Sequence, residues 1–455
     1  MNSFIQTLKN IWSIKELRDK IVFTLIVLAV FRFGSYVVLP GVNFEALDTA
    51  SSTRGANDLL KLINTFTGGA FNQGSIFALG IMPYITASII VQLLGFAVPY
   101  FQKLQQKEGE SGRKRINQIT RFLTVFITLV QGGGYLAYLK TTPGAVDTTI
   151  PEGVFWFSNM IILSSGTVFS MWLGEKITDK GIGNGISLLI MVGIIASLPA
   201  AFVSEVLGQF GSNVVLLILE FAFLILVVMA TILVVQAVRK IPIQAAKRMV
   251  GRGAGSVPSA GARDYINLKL SAAGVMPIIF AQAIMFLPLT AAQWAMTNSG
   301  VQYDWLLALN DWKSLPYNAF FFILIVVFTY VYTALIVNPQ QYAEYLKRQN
   351  AFIPGVKPGQ DTQDYIDTLT TRITLPGAIF IGVIAILPAL VAIAGVNDAF
   401  AIFFGGTSLL ILVGVVLDTL QQIESYLLMR KYDGLVKSGR ITGRSSQGIT
   451  IGTGM

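Results

Sequence analysis

Long runs of apolar residues recur along the whole sequence. A helix that crosses the hydrocarbon core of a bilayer needs about 20 predominantly apolar residues, and ten segments approach this length. They cover residues 21–39, 75–98, 122–139, 155–173, 185–202, 214–238, 272–291, 318–337, 373–393 and 401–423. Only 13% of the 455 residues are charged, about half the usual share for a soluble domain. The sequence therefore predicts an all-α membrane protein with ten transmembrane helices.

Lys and Arg lie mostly in loops on one side of the predicted spans. With the N-terminus in the cytoplasm, 28 of the 33 Lys and Arg residues fall on the cytoplasmic side. Short loops rich in these residues stay in the cytoplasm, so we expect both termini there. The first run contains Arg32 and is not followed by a small-residue cleavage site. We therefore expect it to be a retained span rather than a signal peptide.

Several kinds of catalytic chemistry are excluded by composition. The chain has no His and no Cys, and therefore no Ser-His-Asp triad, no thiolate nucleophile and no zinc, haem or iron–sulfur centre bound through these residues. A phosphate-binding G-x-x-x-x-G-K-[ST] motif is also missing from the sequence. We accordingly expect neither an enzyme nor a bound cofactor or metal.

Charged residues within the apolar runs are few. They are Arg32, Glu220 and Asp418. Such residues are costly in a membrane and are functional candidates by default. A proton- or sodium-coupled transporter would usually have several carboxylates near the midplane, so we favour helix or subunit contacts for these three residues. A secondary solute transporter is the alternative function that ten spans would permit.

The ten runs divide into two sets of five. An odd number of spans per set means that the second set starts from the opposite face, as in inverted-topology repeats. The predicted units are residues 21–205 and 206–423. An amphipathic segment, 1–20, precedes them, and a cytoplasmic tail, 424–455, follows them. We expect the amphipathic segment to lie on the anionic phospholipids of the inner leaflet.

Glycine and proline interrupt two of the runs at similar depth. The second run contains Gly80 and Pro83, and the seventh contains Gly274 and Pro277. Because proline removes a backbone donor, each is expected to kink its helix. The matching positions in the two sets suggest paired gating helices.

Three segments outside the runs are also distinctive. Residues 58–72 have a helical period but are too short and too polar to cross a membrane. They form either a half-helix that re-enters the protein or a helix on the external surface. The loops 239–269 and 338–372 are basic and lie on the predicted cytoplasmic side. Such loops enforce topology, and they also suit acidic or phosphate-rich partners.

Six short motifs occur together in a characteristic order. They are FALGIMPYITASII, QKEGESGR, GIGNGIS, AGVMP, FIPGVKPG followed by YID, and GGTSLLI. With these motifs the chain closely resembles the SecY family, the channel subunits of the bacterial protein-translocation complex, over about residues 1–435. The resemblance implies a ten-span clamshell of two inverted, pseudo-symmetric halves. It also implies an hourglass pore, a short plug helix, and a lateral gate between the second-to-third and seventh-to-eighth spans.

The resemblance assigns roles to individual residues. The apolar pore ring falls on Ile81, Ile85, Ile186, Ile190, Ile279 and Ile411. The plug falls on Leu60, Ile63, Phe66, Gly68, Gly69 and Phe71. The lateral gate falls on Thr86, Gln92 and Leu287. Contacts with cytosolic partners fall on Lys247, Arg248, Arg252 and Lys357. The family normally has Arg at the position of Lys357, and lysine cannot reproduce the bidentate contact of a guanidinium.

The function implied by the resemblance is a passive channel in the bacterial inner membrane. It would move secretory polypeptides across the membrane and release hydrophobic segments sideways into lipid. The implied partners are SecE, SecG, the SecA motor ATPase, the translating ribosome, nascent or unfolded polypeptides, and accessory proteins of the SecDF and YidC types.

Overall fold

Helices make up most of the computed structural model, which describes residues 11–53, 64–106, 109–147, 149–209, 214–245, 263–282, 284–285 and 311–437. The helices of the first half are α1 (Lys15–Gly34), α2 (Phe44–Thr53), α3 (Met82–Ala97), α4 (Pro99–Gln106), α5 (Gly109–Thr141), α6 (Glu152–Lys180) and α7 (Gly185–Gln209). Those of the second half are α8 (Val214–Gln236), α9 (Leu315–Ile336), α10 (Pro339–Arg348), α11 (Gln360–Ile393), α12 (Asp398–Ala401) and α13 (Gly406–Lys437). Residues 64–66 and 276–282 are also helical.

Seven helical segments in the described part of the chain are long and apolar enough to cross a membrane. They are α5, α6, α7, α8, Leu315–Arg348, α11 and Gly406–Met429. These segments coincide with the third to sixth and the eighth to tenth predicted spans, which confirms a multi-pass membrane protein. Of the other three predicted spans, the first overlaps α1, which has six charged residues, and the second overlaps α3, which has 16 residues. The seventh continues beyond the described residues.

The first long helix begins earlier than the predicted first span. α1 starts at Lys15, after the extended residue Ile14, and continues to Gly34. Residues 15–20, predicted as part of a surface segment, are therefore the first turns of this helix. Their Lys, Glu, Leu and Arg residues are good helix formers. The amino group of Lys20 donates a hydrogen bond of 2.5 Å to the hydroxyl of Tyr426 on α13.

The two G-x-x-P breaks mark helix starts. Gly80 has a φ of +53° and Gly274 a φ of +60°, a left-handed conformation that glycine adopts without strain. Pro83 lies in the first turn of α3, and Pro277 in the first turn of the helix that begins at residue 276. The prediction of kinks is wrong at both positions, because the first turn of a helix has no backbone bond for proline to remove.

One hydrophobic core joins the two halves. It contains Phe31 of α1, Ile85 of α3 and Ile190 of α7 from the first half. From the second half it contains Ile384 of α11 and Ile411 of α13. The halves therefore pack against each other through apolar side chains over much of their interface.

The two basic loops contain a small antiparallel sheet that the sequence did not predict. Strand β1 (Val238–Ala245) pairs along its length with β2 (Arg263–Lys269), and its end pairs with β3 (Ala351–Phe352). Ile241 and Leu268 of the first loop pack with Ile353 and Ile366 of the second loop region. The loops thus fold together as one unit beyond the membrane helices.

Close packing at Gly166 of α6 provides a test of the fold. A Cβ atom there would lie 2.2 Å from the carbonyl oxygen of Ile76, whereas a Cβ at Gly153 of the same helix would have nothing within 4 Å. We expect Gly166→Ala to lower the free energy of unfolding by about 1–3 kcal/mol through overpacking. Gly153→Ala should leave it unchanged or raise it, because alanine favours the helix by up to about 1 kcal/mol. Thermal unfolding in detergent measures both, and equal stabilities would contradict the packing.

Candidate functional site

Five of the six predicted ring isoleucines line one small cavity. They are Ile81, Ile85, Ile190, Ile279 and Ile411. The side chains come from four segments: the start of α3, α7, the helix from residue 276, and α13. Both halves of the chain therefore contribute to one apolar collar.

The sixth predicted residue, Ile186, lies outside this lining. It is partly buried and packs at the edge of the same core. Ile186 and Ile190 are four residues apart on α7, so they share one face of the helix. The structure thus places Ile186 about one turn away from the cavity that contains Ile190.

The cavity is narrow and mostly apolar. Its volume is about 20 Å³, which is enough for about one water molecule. Ile81, Ile85, Ile190 and Ile411 are each no more than 6% exposed. A constriction of this kind dewets readily, because branched apolar side chains offer water no hydrogen bonds. The collar is closed in this structure.

Four other residues complete the lining. They are Phe66, Thr67, Met82 and Gln282. Phe66 is predicted as a plug residue, but its position on the cavity wall is not predicted. Gln282 lies three residues after Ile279, a helical spacing that places both side chains on one face. That spacing is the one sequence signal that could have identified Gln282.

The described part of the predicted plug is buried in protein. Phe66, Ala70 and Phe71 are between 1% and 9% exposed. A Cβ atom on Gly193 of α7 would lie 2.5 Å from the carbonyl oxygen of Phe66, so the segment lies directly on the backbone of that helix. This burial favours the re-entrant interpretation over an external surface helix. Leu60 and Ile63 lie outside the described residues.

Side chains from two other helices hold the plug segment in place. Tyr135 of α5 donates a hydrogen bond of 2.7 Å to the carbonyl oxygen of Phe71, and the two rings are 4.8 Å apart. Arg32 of α1 donates from Nη1 to the carbonyl oxygen of Gly68 at 2.5 Å. Gly68 and Gly69 have φ values of +66° and +93°, so the helical turn ends in a left-handed bend.

The predicted lateral-gate residues on α3 are satisfied within their own helix. The hydroxyl of Thr86 donates to the carbonyl oxygen of Met82 at 3.0 Å, and the amide of Gln92 donates to the hydroxyl of Ser88 at 3.1 Å. Leu287 lies outside the described residues. The start of α3 and the helix from residue 276 both line the cavity. The two helices assigned to the gate therefore lie close together at this level.

Of the residues predicted to contact cytosolic partners, Lys357 lies in the described part of the chain, and its side chain is exposed. Its carbonyl oxygen accepts a hydrogen bond of 2.7 Å from the hydroxyl of Thr362, and the nearby Ile353 is buried in the core beneath the sheet. The loop is thus anchored from both sides while its lysine faces outward. Lys247, Arg248 and Arg252 lie outside the described residues.

The membrane-embedded carboxylates do not converge on the cavity. Glu220 of α8 is 4% exposed, and Glu205 of α7 is 1% exposed. Glu205 accepts a hydrogen bond of 3.1 Å from the backbone N–H of Asn397. Glu205 was missed because it follows the predicted end of its span, although α7 continues to Gln209. Asp418 is exposed on α13.

Comparison with known proteins identifies the family. The SecY family model matches residues 75–420. The protein translocase subunit SecY of Chlamydia muridarum is 38% identical over 464 residues, covering 96% of this chain and 99% of that protein. The subunit of the same name from Halalkalibacterium halodurans is 40% identical over 442 residues, covering 95% and 100%.

Solved structures share the fold. A structure described as a protein conducting channel superposes with a TM-score of 0.62 at 18% identity, covering 90% of this chain and 92% of the other. Sec61 in a canine ribosome–channel complex superposes with a TM-score of 0.59 at 17% identity, again covering 90% and 92%. Because its relatives match over nearly their whole length, the chain belongs to the SecY family and is a protein-translocation channel subunit that crosses the membrane several times.

Proposed function

We propose that the isoleucine collar is the constriction through which this channel passes polypeptides, and that residues 58–72 are its plug. The observation that supports this most directly is the meeting of five predicted isoleucines, from both halves, around one closed cavity. Phe66 of the plug segment lies on the wall of the same cavity. The closed collar and the plug together would keep ions from crossing when the channel is idle.

The energetics of the collar suit a gated passage. Burying one isoleucine side chain is worth about 1.5–3 kcal/mol, so exposing five of them to water costs about 10 kcal/mol. A translocating chain offsets that cost by providing new contacts. The collar offers no strong hydrogen bonds to hold any particular sequence. Extended polypeptides of very different sequence can therefore slide through.

The start of α3 and the helix from residue 276 line the same cavity, and this proximity supports a lateral exit. Separation of these helices would open the channel interior to lipid on one side. A hydrophobic segment would then partition into the bilayer, as the transfer costs of its residues dictate. A polar segment would continue across. Thr86, Gln92 and Leu287 are proposed to line this gate.

The basic loops support docking to cytosolic partners. The sheet formed by the two loops and the exposed Lys357 provide a folded platform. We propose that Lys247, Arg248, Arg252 and Lys357 contact the SecA motor or the translating ribosome, and that small SecE- and SecG-like subunits bind the membrane helices. The Sec61 neighbour is described in a ribosome complex, which supports the ribosome as one partner. We propose in addition that the protein resides in the bacterial inner membrane and that both of its termini lie in the cytoplasm.

A solute transporter with an inverted repeat is the competing proposal. Ion-coupled transport needs polar or charged groups at a midplane site, whereas the cavity between the halves is lined mostly by isoleucine. The collar therefore favours a conduit for polypeptides, which needs no catalytic group of its own.

Crosslinking tests the constriction. We expect a photoreactive residue at position 81, 279 or 411 to crosslink to a stalled secretory chain, because these side chains face the passage. Positions 161 and 218 serve as controls, since Ile161 and Ile218 are 50% and 64% exposed on the outer faces of α6 and α8. Crosslinks confined to the control positions would contradict the assignment.

Ion leakage tests the seal. We expect Ile190→Asp and Ile411→Asp to increase ion efflux from vesicles that contain the idle channel, since a carboxylate hydrates the constriction. Ile190→Val, which keeps the surface apolar, is the matched control. Unchanged efflux from correctly folded aspartate variants would show that the collar is not the barrier.

Charge reversal tests the docking loop. We expect Lys357→Glu to reduce SecA-dependent translocation several-fold, more strongly at low salt, because screening weakens contacts between charges. Lys357→Arg should keep or increase the rate, since a guanidinium makes bidentate contacts. Lys347→Glu reverses another exposed charge of the same region as a control. Equal rates for the two Glu variants would argue against a specific contact by Lys357.

A further inference from the structure

Arg32 is a charged residue within the predicted first span, and its contacts are unusual. In the described part of the chain, no carboxylate forms an ion pair with Arg32. Its Nη1 donates to the carbonyl oxygen of Gly68, and its Nη2 donates to the hydroxyl of Tyr36 at 2.9 Å. The guanidinium carbon also lies 4.8 Å from the centre of the Tyr36 ring. The acceptor opposite the charge is thus the backbone of the plug segment.

The position of Arg32 on its helix makes this charge tolerable. Arg32 lies in the last turn of α1, where the helix dipole favours a cation. Tyr36, one turn further on, fixes the guanidinium from the other side. The arginine is therefore held by its own helix and directed at one carbonyl group.

The packing around Gly68 is tight. A Cβ atom on Gly68 would lie 2.8 Å from Nη1 of Arg32 and 2.8 Å from the Cα atom of Gly193. The left-handed Gly68–Gly69 bend is thus enclosed between the guanidinium and the backbone of α7. Phe66, two residues earlier, lies on the collar cavity. Movement of the bend would therefore move Phe66 away from the collar.

We propose that Arg32 is the positioning residue that holds the plug closed, through its charge-assisted hydrogen bond to the carbonyl group of Gly68. This inference rests on the proposed role of residues 58–72 as a plug. Because hydrogen bonds to charged groups are stronger than neutral ones, one such bond can bias the closed state substantially. A backbone acceptor keeps the contact independent of the side chain at position 68, which the close packing restricts to glycine. Opening would require this bond to break.

The accessibility of the plug tests the proposal. The chain has no native cysteine, and Ala70 is 1% exposed, so Ala70→Cys reports plug displacement through its rate of labelling by a membrane-impermeant maleimide. In the full-length channel in vesicles, we expect Arg32→Gln to raise the idle labelling rate at least about tenfold. Tyr36→Phe, which removes only the anchor of the guanidinium, should raise it less. Gly193→Ala should raise it sterically and serves as the positive control.

Arg121→Gln is the matched negative control. Arg121 forms an ion pair of 2.6 Å with Glu175 and does not contact the described part of the plug segment. The plug itself is tested separately in the Ala70→Cys channel that keeps Arg32, by measuring the labelling rate when a stalled secretory chain occupies the channel. Suppose that the stalled chain raises the labelling rate at position 70, but that Arg32→Gln and Tyr36→Phe leave the labelling rate of the idle channel unchanged. The proposed role of Arg32 is then overturned, whereas the proposed plug is supported. If the stalled chain does not raise the labelling rate at position 70, the proposed plug and the proposed role of Arg32 both fail. If Arg32→Gln does not fold, Arg32→Met replaces it, and an unchanged labelling rate in the folded Arg32→Met and Tyr36→Phe variants overturns the proposed role of Arg32.

Discussion

Irregular backbone inside a membrane protein must find hydrogen-bond partners within the protein, because lipid provides none. Residues 67–81 satisfy this requirement partly through turns within the segment and partly through other segments. The N–H of Leu39 donates to the carbonyl oxygen of Gly74 at 2.8 Å, and the N–H of Ile76 donates to the carbonyl oxygen of Val37 at 2.9 Å. Tyr135 donates to the carbonyl oxygen of Phe71. This bonding allows a non-helical segment to lie at the centre of the bundle, where the plug and the start of α3 meet.

The same constraint explains why two helices start at depth. Gly80 and Gly274 turn the chain in left-handed conformations, and a proline then occupies the first turn of each helix. Each half thus delivers the start of an apolar helix to the cavity. The same arrangement in the two halves gives the closed collar contributions from both sides.

Charge is used sparingly within the membrane helices, and two of these charged residues bind backbone groups of distant segments. Arg32 donates to the carbonyl oxygen of Gly68, and Glu205 accepts from the N–H of Asn397. The first contact joins a helix to the plug segment, and the second joins the fifth span to the loop before α12. Both contacts link segments that are distant in sequence. Breaking either one would leave a charged group without its hydrogen bond in a poorly solvated place, which is costly.

The sequence by itself determined the membrane character, seven of the ten spans, the family, and the isoleucines that meet at the cavity, because apolar run length and short motifs are local properties. The tertiary structure decided that Pro83 and Pro277 start helices, that β3 joins the sheet of the other loop, and that Gln282 and Phe66 line the collar. It also decided the partners of Arg32 and Glu205. The acceptor for Nη1 of Arg32 and the donor to Glu205 are backbone groups, which every residue carries, so no side-chain pattern could have identified them. Only the folded chain brings those groups within reach.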